Sequence, residues 1–437
     1  MFEGALLVVG FGILFFSFPH HLAGDDGPRL ADVELLRRHF ATTSDQYSLA
    51  IPMLSVPLDA LGTLVKSPLW WETRFNVIVV AVAVVTNYVL LRDRIDRALL
   101  RRFFLILLFA SLLTYHLRTF NTEVAGAAFL ATGITLLAVG RPKTGWGLIV
   151  YATVNTPALI GGLVAITGAE SIRTRRLRFL LPLLLAVLLI GLESWIRRGS
   201  PFTTGYADNR GSATLLPYSG RGGFSYPFAL GIISILFSAG RGLLFFAPGL
   251  TLLFLRRTWE LVSVAKQSTV LVLLFVGGMV LVYAKWWAWY GGVSWGPRFF
   301  VIAAVPASLA LAVRVKDAGR SALGDALTLL VLAFSTWVAV AGVLASADHF
   351  TALCFANGYA LESYCWYLPE FSNLWYPILG FDRRYWPSDP HHSPSIIIAL
   401  AFALIVFVYL AAPLVLTVAR ACTTNIARIF RGPGWQF

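Results

Sequence analysis

The sequence predicts an all-α polytopic membrane protein, and three observations carry that prediction. Hydrophobic residues fill 57% of the 437 positions against 13% charged, with a mean hydropathy of +0.72, which leaves no room for a soluble domain of useful size. Apolar runs approaching the thickness of a bilayer recur along the whole chain. Twenty of the 35 Lys and Arg fall in six short clusters, Arg92 to Arg102, Arg141 to Lys143, Arg173 to Arg178, Arg256 to Lys266, Arg314 to Arg320 and Arg420 to Arg431, each beside an apolar run. The positive-inside rule puts all six in the cytoplasm. The net charge of +13 is then a matter of topology, and no nucleic-acid partner is expected.

The first apolar run, Phe2 to Phe18, lacks a basic start and a small-residue cleavage site, so it reads as a retained span. From it the basic anchors thread about ten spans: roughly 2–18, 73–91, 103–118, 123–140, 178–196, 243–255, 268–284, 298–313, 321–345 and 394–418, with both termini cytoplasmic. Gly145 to Gly168 is apolar but has basic clusters on both sides, so it is expected to enter and return as a re-entrant or short helical hairpin. Asn155, Thr156 and Pro157 would break it beside a cavity. The chain, 1–437, reads as a single transmembrane domain with no separate soluble domain.

The outward loops, 19–72, 197–242, 285–297 and 346–393, are long and rich in Trp, Tyr, Pro and Gly, so function is expected on the extracytoplasmic face. The first opens with a helix from about Pro28 to Phe40, with Leu30, Val33, Leu36 and Phe40 at helical spacing. YSLAIPMLSVPLDALG follows, apolar but punctuated by Pro52 and Pro57, and suits a second juxtamembrane segment lying in the interface. Such helices would cradle a lipid-linked substrate, or simply pack as a lid. Cys354 and Cys365 share the late loop, where an oxidising compartment permits a disulfide; Cys422 is expected free.

Chemistry-bearing residues gather on the same side. Asp25 and Asp26, in GDDGPRLADVELLRRH, stand where the chain leaves its first span, and helix capping accounts for one carboxylate but not two. Arg298 in WGPR and Arg241 in AGRG lead the cations at span ends, ahead of Lys285, Arg74, Arg118 and His116. Arg offers a two-pronged grip on phosphate, whereas snorkelling to headgroups is the ordinary use of such residues. Glu123 opens a span, facing the bundle interior or capping its helix. Trp286, Trp287, Trp289, Tyr290 and Trp295 suit sugar stacking, an isoprenoid groove or an interfacial belt. His20 and His21 near the aspartates, and His391 with His392, show no metal-ligand spacing. No glycine-rich phosphate loop appears, which argues against a nucleotide-sugar donor.

The run DGPRLADV, Asp26 to Val33, resembles the DEPRYAE-type signature after the first span of the GT-C superfamily of membrane glycosyltransferases, including lipid A aminoarabinose transferases and protein O-mannosyltransferase-like enzymes. The downstream order is similar: Tyr47, a Pro-punctuated stretch ending ALG, Arg74 and Asn76, then SAGRGLLFFAP, WWAWYGGVSWGPRFFVIAAVP and WYLPEFSNLWYPI. Gly27 stands where the signature has Glu, Asp25 is an extra carboxylate, and the chain reaches Phe437 without the periplasmic domain some members append.

The resemblance implies an enzyme of the bacterial inner membrane that moves a sugar, with inversion, from a polyprenyl-phosphate carrier to a glycolipid, a cell-envelope glycan or a protein, with mannose or arabinofuranose as analogous donor sugars. It implies Asp26 as general base with Asp25 second, and Arg298, Arg241, Lys285, Arg74 and His116 as candidates for the donor phosphate. Glu123, Tyr47, Trp289 and Tyr290 would hold the acceptor or sugar. No cofactor is certain, and a divalent cation, Mg, Mn or Ca, is compatible. Two alternatives stay open: a lipid or lipid-linked-sugar transporter or flippase using the break at Asn155 to Pro157, though no inverted repeat is visible, and an O-antigen ligase or polymerase, whose functional loop usually comes late.

Overall fold

The computed structural model describes residues 2–206, 209–292, 294–344, 353–372, 374–379 and 393–430. The expected all-α class is what is found: among the described residues the only extended pairing is an isolated bridge between Arg210 and Gly222. In chain order the helices are α1 (Phe2–Gly12), α2 (Asp26–His39), α3 (Val56–Gly62), α4 (Pro68–Glu72), α5 (Phe75–Leu91), α6 (Arg97–Phe109), α7 (Leu113–His116), α8 (Thr122–Ala138), α9 (Pro142–Asn155) and α10 (Ile160–Thr174). There follow α11 (Leu181–Arg198), α12 (Phe228–Phe237), α13 (Leu243–Phe246), α14 (Arg256–Leu261), α15 (Lys266–Tyr283), α16 (Ala304–Lys316), α17 (Ala322–Leu344), α18 (Glu362–Tyr367), α19 (Tyr376–Leu379) and α20 (Ser393–Phe430). Among the described residues six stretches are long and apolar enough to cross a membrane: Pro68–Leu91, Leu177–Arg198, Lys266–Tyr283, Arg298–Lys316, Ala322–Leu344 and Pro394–Thr424.

The remaining expected spans are shorter or broken, each for a local reason. α1 ends in a wide π turn, Ile13–Ser17. The stretch expected at 243–255 divides into α13 and a tight turn, Pro248–Phe254, because Pro248 cannot continue the helix; Gly249 there lies against the backbone of Ala307. Irregular backbone is tolerated at such a place because α16, the most buried of the long helices, covers it. The hairpin between Gly145 and Gly168 is present as α9 and α10, broken at Thr156 and Pro157. Its limbs diverge: α9 packs on α8 and α11, whereas α10 lies along α15 through Gly161, Gly162 and Gly278. The turn reaches the first loop, where Tyr151 Oη donates to Ala50 O and Ile51 N–H donates to Asn155 Oδ1 at 3.2 Å.

Charge separates the bundle into two faces. At the basic face Arg101 and Arg102 close on Glu3 at 3.0 and 3.4 Å, Lys316 meets Asp96 at 3.2 Å and Arg257 meets Asp317 at 2.9 Å, drawing three basic clusters together. The loop face carries α2, α3, α12, α18 and the segments 199–226 and 285–297. The expected late loop, 346–393, falls partly outside the described residues, as do His391 and His392. Between α5, α6, α8, α15 and α16 runs an almost wholly apolar cavity of about 190 Å³. Its lining extends along α8 from Val124 to Val139, about 22 Å of helix axis. Its loop-face end is bounded by Leu113, Val124 and Val301.

Candidate functional site

Three elements meet next to Val124 and Val301, which line that end of the cavity. α2 brings Asp25, Asp26 and Arg29; the start of α8 brings Glu123; the lead-in to α16 brings Arg298. Asn76, at the start of α5, sets the approach to α8 by donating to Thr119 O and Asn121 O, both at 2.8 Å.

The two aspartates do different things. Asp25 occupies the N-cap position of α2 but makes no capping hydrogen bond. Its Oδ2 instead accepts from Arg298 Nη2 at 2.6 Å, and its Oδ1 from Tyr47 Oη at 2.9 Å. Asp26 is 2% exposed, and its Oδ2 accepts the amides of Ala23 and Phe120 at 2.9 and 3.1 Å, pinning the loop before α2 to the turn before α8. Burial by itself would raise the Asp25 carboxyl, but the Arg298 and Arg29 guanidiniums and the Tyr47 hydroxyl outweigh it and hold the group below the ordinary carboxylate range. For Asp26 burial wins over the two amides and Arg29, and the carboxyl rises to about 6.

Arg298 is seated by glycines. Gly24 and Gly291 both have positive φ, +56° and +81°. A Cβ on Gly291 would stand 2.9 Å from Arg298 Cγ, so neither the backbone turn nor the space suits a larger residue. The buried Nε of Arg298 has no partner. Arg29 lies over the Tyr47 ring at 5.0 Å and faces Glu123 at 3.8 Å, too far for a hydrogen bond; Arg29 Nη1 and Glu123 Oε2 are both buried without one. Asn121, not Glu123, caps α8, which frees Glu123 to turn inward.

The other expected residues lie elsewhere. Arg74 donates to Phe15 O and Trp70 O and lies over the Trp70 ring. Lys285 is exposed, and its carbonyl accepts from Tyr226 N–H. His116 is buried beside Asn121 at 3.1 Å, within electrostatic reach of Arg298. Arg241 is turned to backbone carbonyls of the turn before Arg298. Arg118 donates to Pro19 O at 3.0 Å. Trp289 is buried among Tyr226, Trp366 and Tyr367, and Tyr290 stacks on Trp366 at 4.1 Å. Cys354 and Cys365 form a disulfide, and Cys422 is free and exposed.

Three residues around the Asp25–Arg298 pair went unread in the sequence. Arg29 sits inside the DGPR run and carried a signal; Tyr206 and Tyr283, both within electrostatic reach of Arg29, Glu123 and Arg298, carried none. Tyr206 comes from the 199–226 segment, which is fastened to the first loop: Arg197 and Arg198 reach backbone oxygens of Thr43 to Tyr47, and Asn209 donates to Gln46 at 2.9 Å.

No three or more His, Cys, Asp or Glu gather as a metal-holding group among the described residues. His20 is turned to Leu14 O at 2.8 Å, and both Asp25 oxygens are engaged, by Tyr47 and Arg298.

Fold and site together define a polytopic membrane protein with a carboxylate–guanidinium centre over an apolar cavity, roofed by loops. No protein-family model matches the chain, and no curated protein sequence does. Its structure is similar to the crystal structure of ArnT from Cupriavidus metallidurans bound to undecaprenyl phosphate, with a TM-score of 0.51 and 13% identity over 94% of this chain and 77% of that one. The chain therefore shares its overall fold with that structure, an all-α polytopic arrangement of the kind expected from the sequence.

Proposed function

We propose that the protein is an inverting glycosyltransferase that moves a sugar from a polyprenyl-phosphate donor to a lipid or cell-envelope acceptor at the loop face. That face is extracytoplasmic, and the six basic clusters and both termini are cytoplasmic. The observation that carries the reading is the Asp25–Arg298 pair over the end of an apolar cavity some 22 Å long. An isoprenoid chain would lie in that cavity with its phosphate beside Arg298 and Arg29; the similar ArnT structure is one bound to undecaprenyl phosphate. The free Nε of Arg298 is one donor ready for a phosphate oxygen.

The acceptor oxygen attacks the anomeric carbon as the bond from that carbon to the phosphate oxygen breaks. The leaving phosphate keeps the electron pair, stabilised by Arg298, and the acceptor proton passes to a carboxylate. Geometry favours Asp25 for that last role. It reaches the chamber with 22% of its side chain exposed, whereas Asp26 is fixed to two amides. Arg298 couples the two events: as the donor phosphate draws the guanidinium, its hold on Asp25 weakens and the carboxylate becomes a better base. Glu123 and Tyr206 are placed to receive acceptor or sugar hydroxyls.

The test is transfer by the full chain in nanodiscs, supplied with radiolabelled polyprenyl-phosphate sugars and a native lipid extract. Turnover by the wild type, lost in a folded Asp25→Asn protein, is expected. Lipid binding without transfer by the wild type would put a lipid or lipid-linked-sugar transporter in its place.

A further inference from the structure

Arg241 lies outside the donor site just drawn, yet its guanidinium is buried and committed. Nη1 donates to Ser294 O and, at 3.1 Å, to Gly296 O, and Nη2 donates to Gly292 O at 3.1 Å. Neutral carbonyls leave the charge without a counter-ion, and a buried guanidinium needs one. Glu362, the first residue of α18, is buried within electrostatic reach of that charge, and burial lifts its carboxyl to about 7, so it answers the charge only in part at neutral pH. The turn that Arg241 grips carries Arg298, whose own N–H donates to Gly296 O at 3.1 Å. On its other side Arg241 is seated by the disulfide-braced loop. Gly240 N–H donates to Trp366 O at 3.0 Å, and a Cβ on Gly240 would stand 2.0 Å from Cys365 O, so only glycine fits there.

We propose that Arg241 is a positioning residue that fixes the turn before Arg298 and thereby sets where Arg298 meets the donor phosphate. The inference rests on the transferase reading for its consequence, but its geometry can be tested without it. A direct phosphate ligand would lose lipid affinity on substitution while the turn kept its wild-type exchange. A staple across three carbonyls needs the planar fork.

Hydrogen exchange of the full chain in nanodiscs, without added polyprenyl lipid, tests this on wild type, Arg241→Gln, Arg241→Lys and Glu362→Gln. Undecaprenyl phosphate affinity is measured alongside. Both Arg241 variants are expected to speed exchange about tenfold between Gly291 and Phe300 while leaving α9 and α10 unchanged. Both should weaken undecaprenyl phosphate binding about tenfold, although Lys keeps the charge. Glu362→Gln should give a smaller change in the same place. Wild-type affinity in Arg241→Lys, or wild-type exchange in Arg241→Gln with binding lost, would overturn the proposal, the latter making Arg241 a ligand. Should Arg241→Gln exchange faster throughout, Glu362→Gln decides, and no local change there also overturns it. A wild type that binds the lipid but transfers nothing sinks the transferase reading and leaves exchange to judge Arg241 alone.

Discussion

At the basic face Lys316 and Asp96 meet at 3.2 Å with nearly half of each side chain in solvent; at the loop face Arg298 and Asp25 meet at 2.6 Å with 12% and 22% exposed. The first pair joins neighbouring connections at the water boundary, and such pairs contribute about 0–1 kcal/mol. The second spans most of the chain in sequence and sits under a roof of loops, where removing one partner strands the other and costs about 3–5 kcal/mol. Glu3, buried beneath Arg101, Arg102 and Tyr409, is the basic face's exception, and it holds α1 to α6 and α20. The contrast teaches that the exposed pair contributes little by itself, whereas the buried pair ties the first loop to the start of α16 and leaves unpartnered polar atoms of Arg298, Arg29 and Glu123 around it.

The contrast breaks most sharply at Asp25. Asp25→Asn is expected to cut turnover by about 10³-fold, the scale of a lost general base, with folding intact by circular dichroism. Asp26→Asn should instead lower thermal stability by about 1–3 kcal/mol, since it weakens acceptance from two buried amides, and should cut turnover far less. The reverse pattern would return the base to Asp26. Arg298→Lys, which keeps the charge but loses the fork, is expected to cut kcat/KM by about 10²-fold, about 2.7 kcal/mol.

A pH profile sharpens the same point. A base must be ionised, so activity falls as pH drops through its pKa. With Asp25 acting, kcat/KM stays level down to below the ordinary carboxylate range, because Arg298 holds that carboxyl low. With Asp26 acting, it begins to fall near pH 6. Tyr47→Phe removes one hydrogen bond to Asp25 and should cost about 1 kcal/mol, a few-fold in rate. Lys316→Ala, at the other face, is expected to change stability by less than about 0.5 kcal/mol and turnover not at all; a larger effect would show the basic face acting on the site.

The sequence made the acidic loop legible because two adjacent aspartates at a span end exceed what one helix cap needs, and Arg298 legible because WGPR puts a guanidinium at the opening of a span. It could not say which way a boundary cation turns. Arg74, Lys285 and Arg241 look alike along the chain, and only the folded bundle sends one to Phe15 O, one to solvent and one to a glycine turn. Tyr206 was invisible for a related reason. Its place depends on contacts between residues some 150 positions apart, and a loop without periodicity records none of them. The hairpin break at Asn155 to Pro157 was readable from Pro, but its depth depends on Tyr151 meeting Ala50.

α11 is the least buried of the long apolar helices, and its last turn is tied to the first loop. Glu193 accepts from Ser48 Oγ and Leu49 N–H at 2.7 and 2.9 Å, and Arg197 donates to Asp32 at 2.9 Å and to the carbonyl of Tyr47. A long apolar helix relieves mismatch with the hydrocarbon around it by tilt. The Arg197 tie to the Tyr47 carbonyl and the Tyr47 hydroxyl on Asp25 form one chain of contacts, so the seating of α11 sets the position of Asp25.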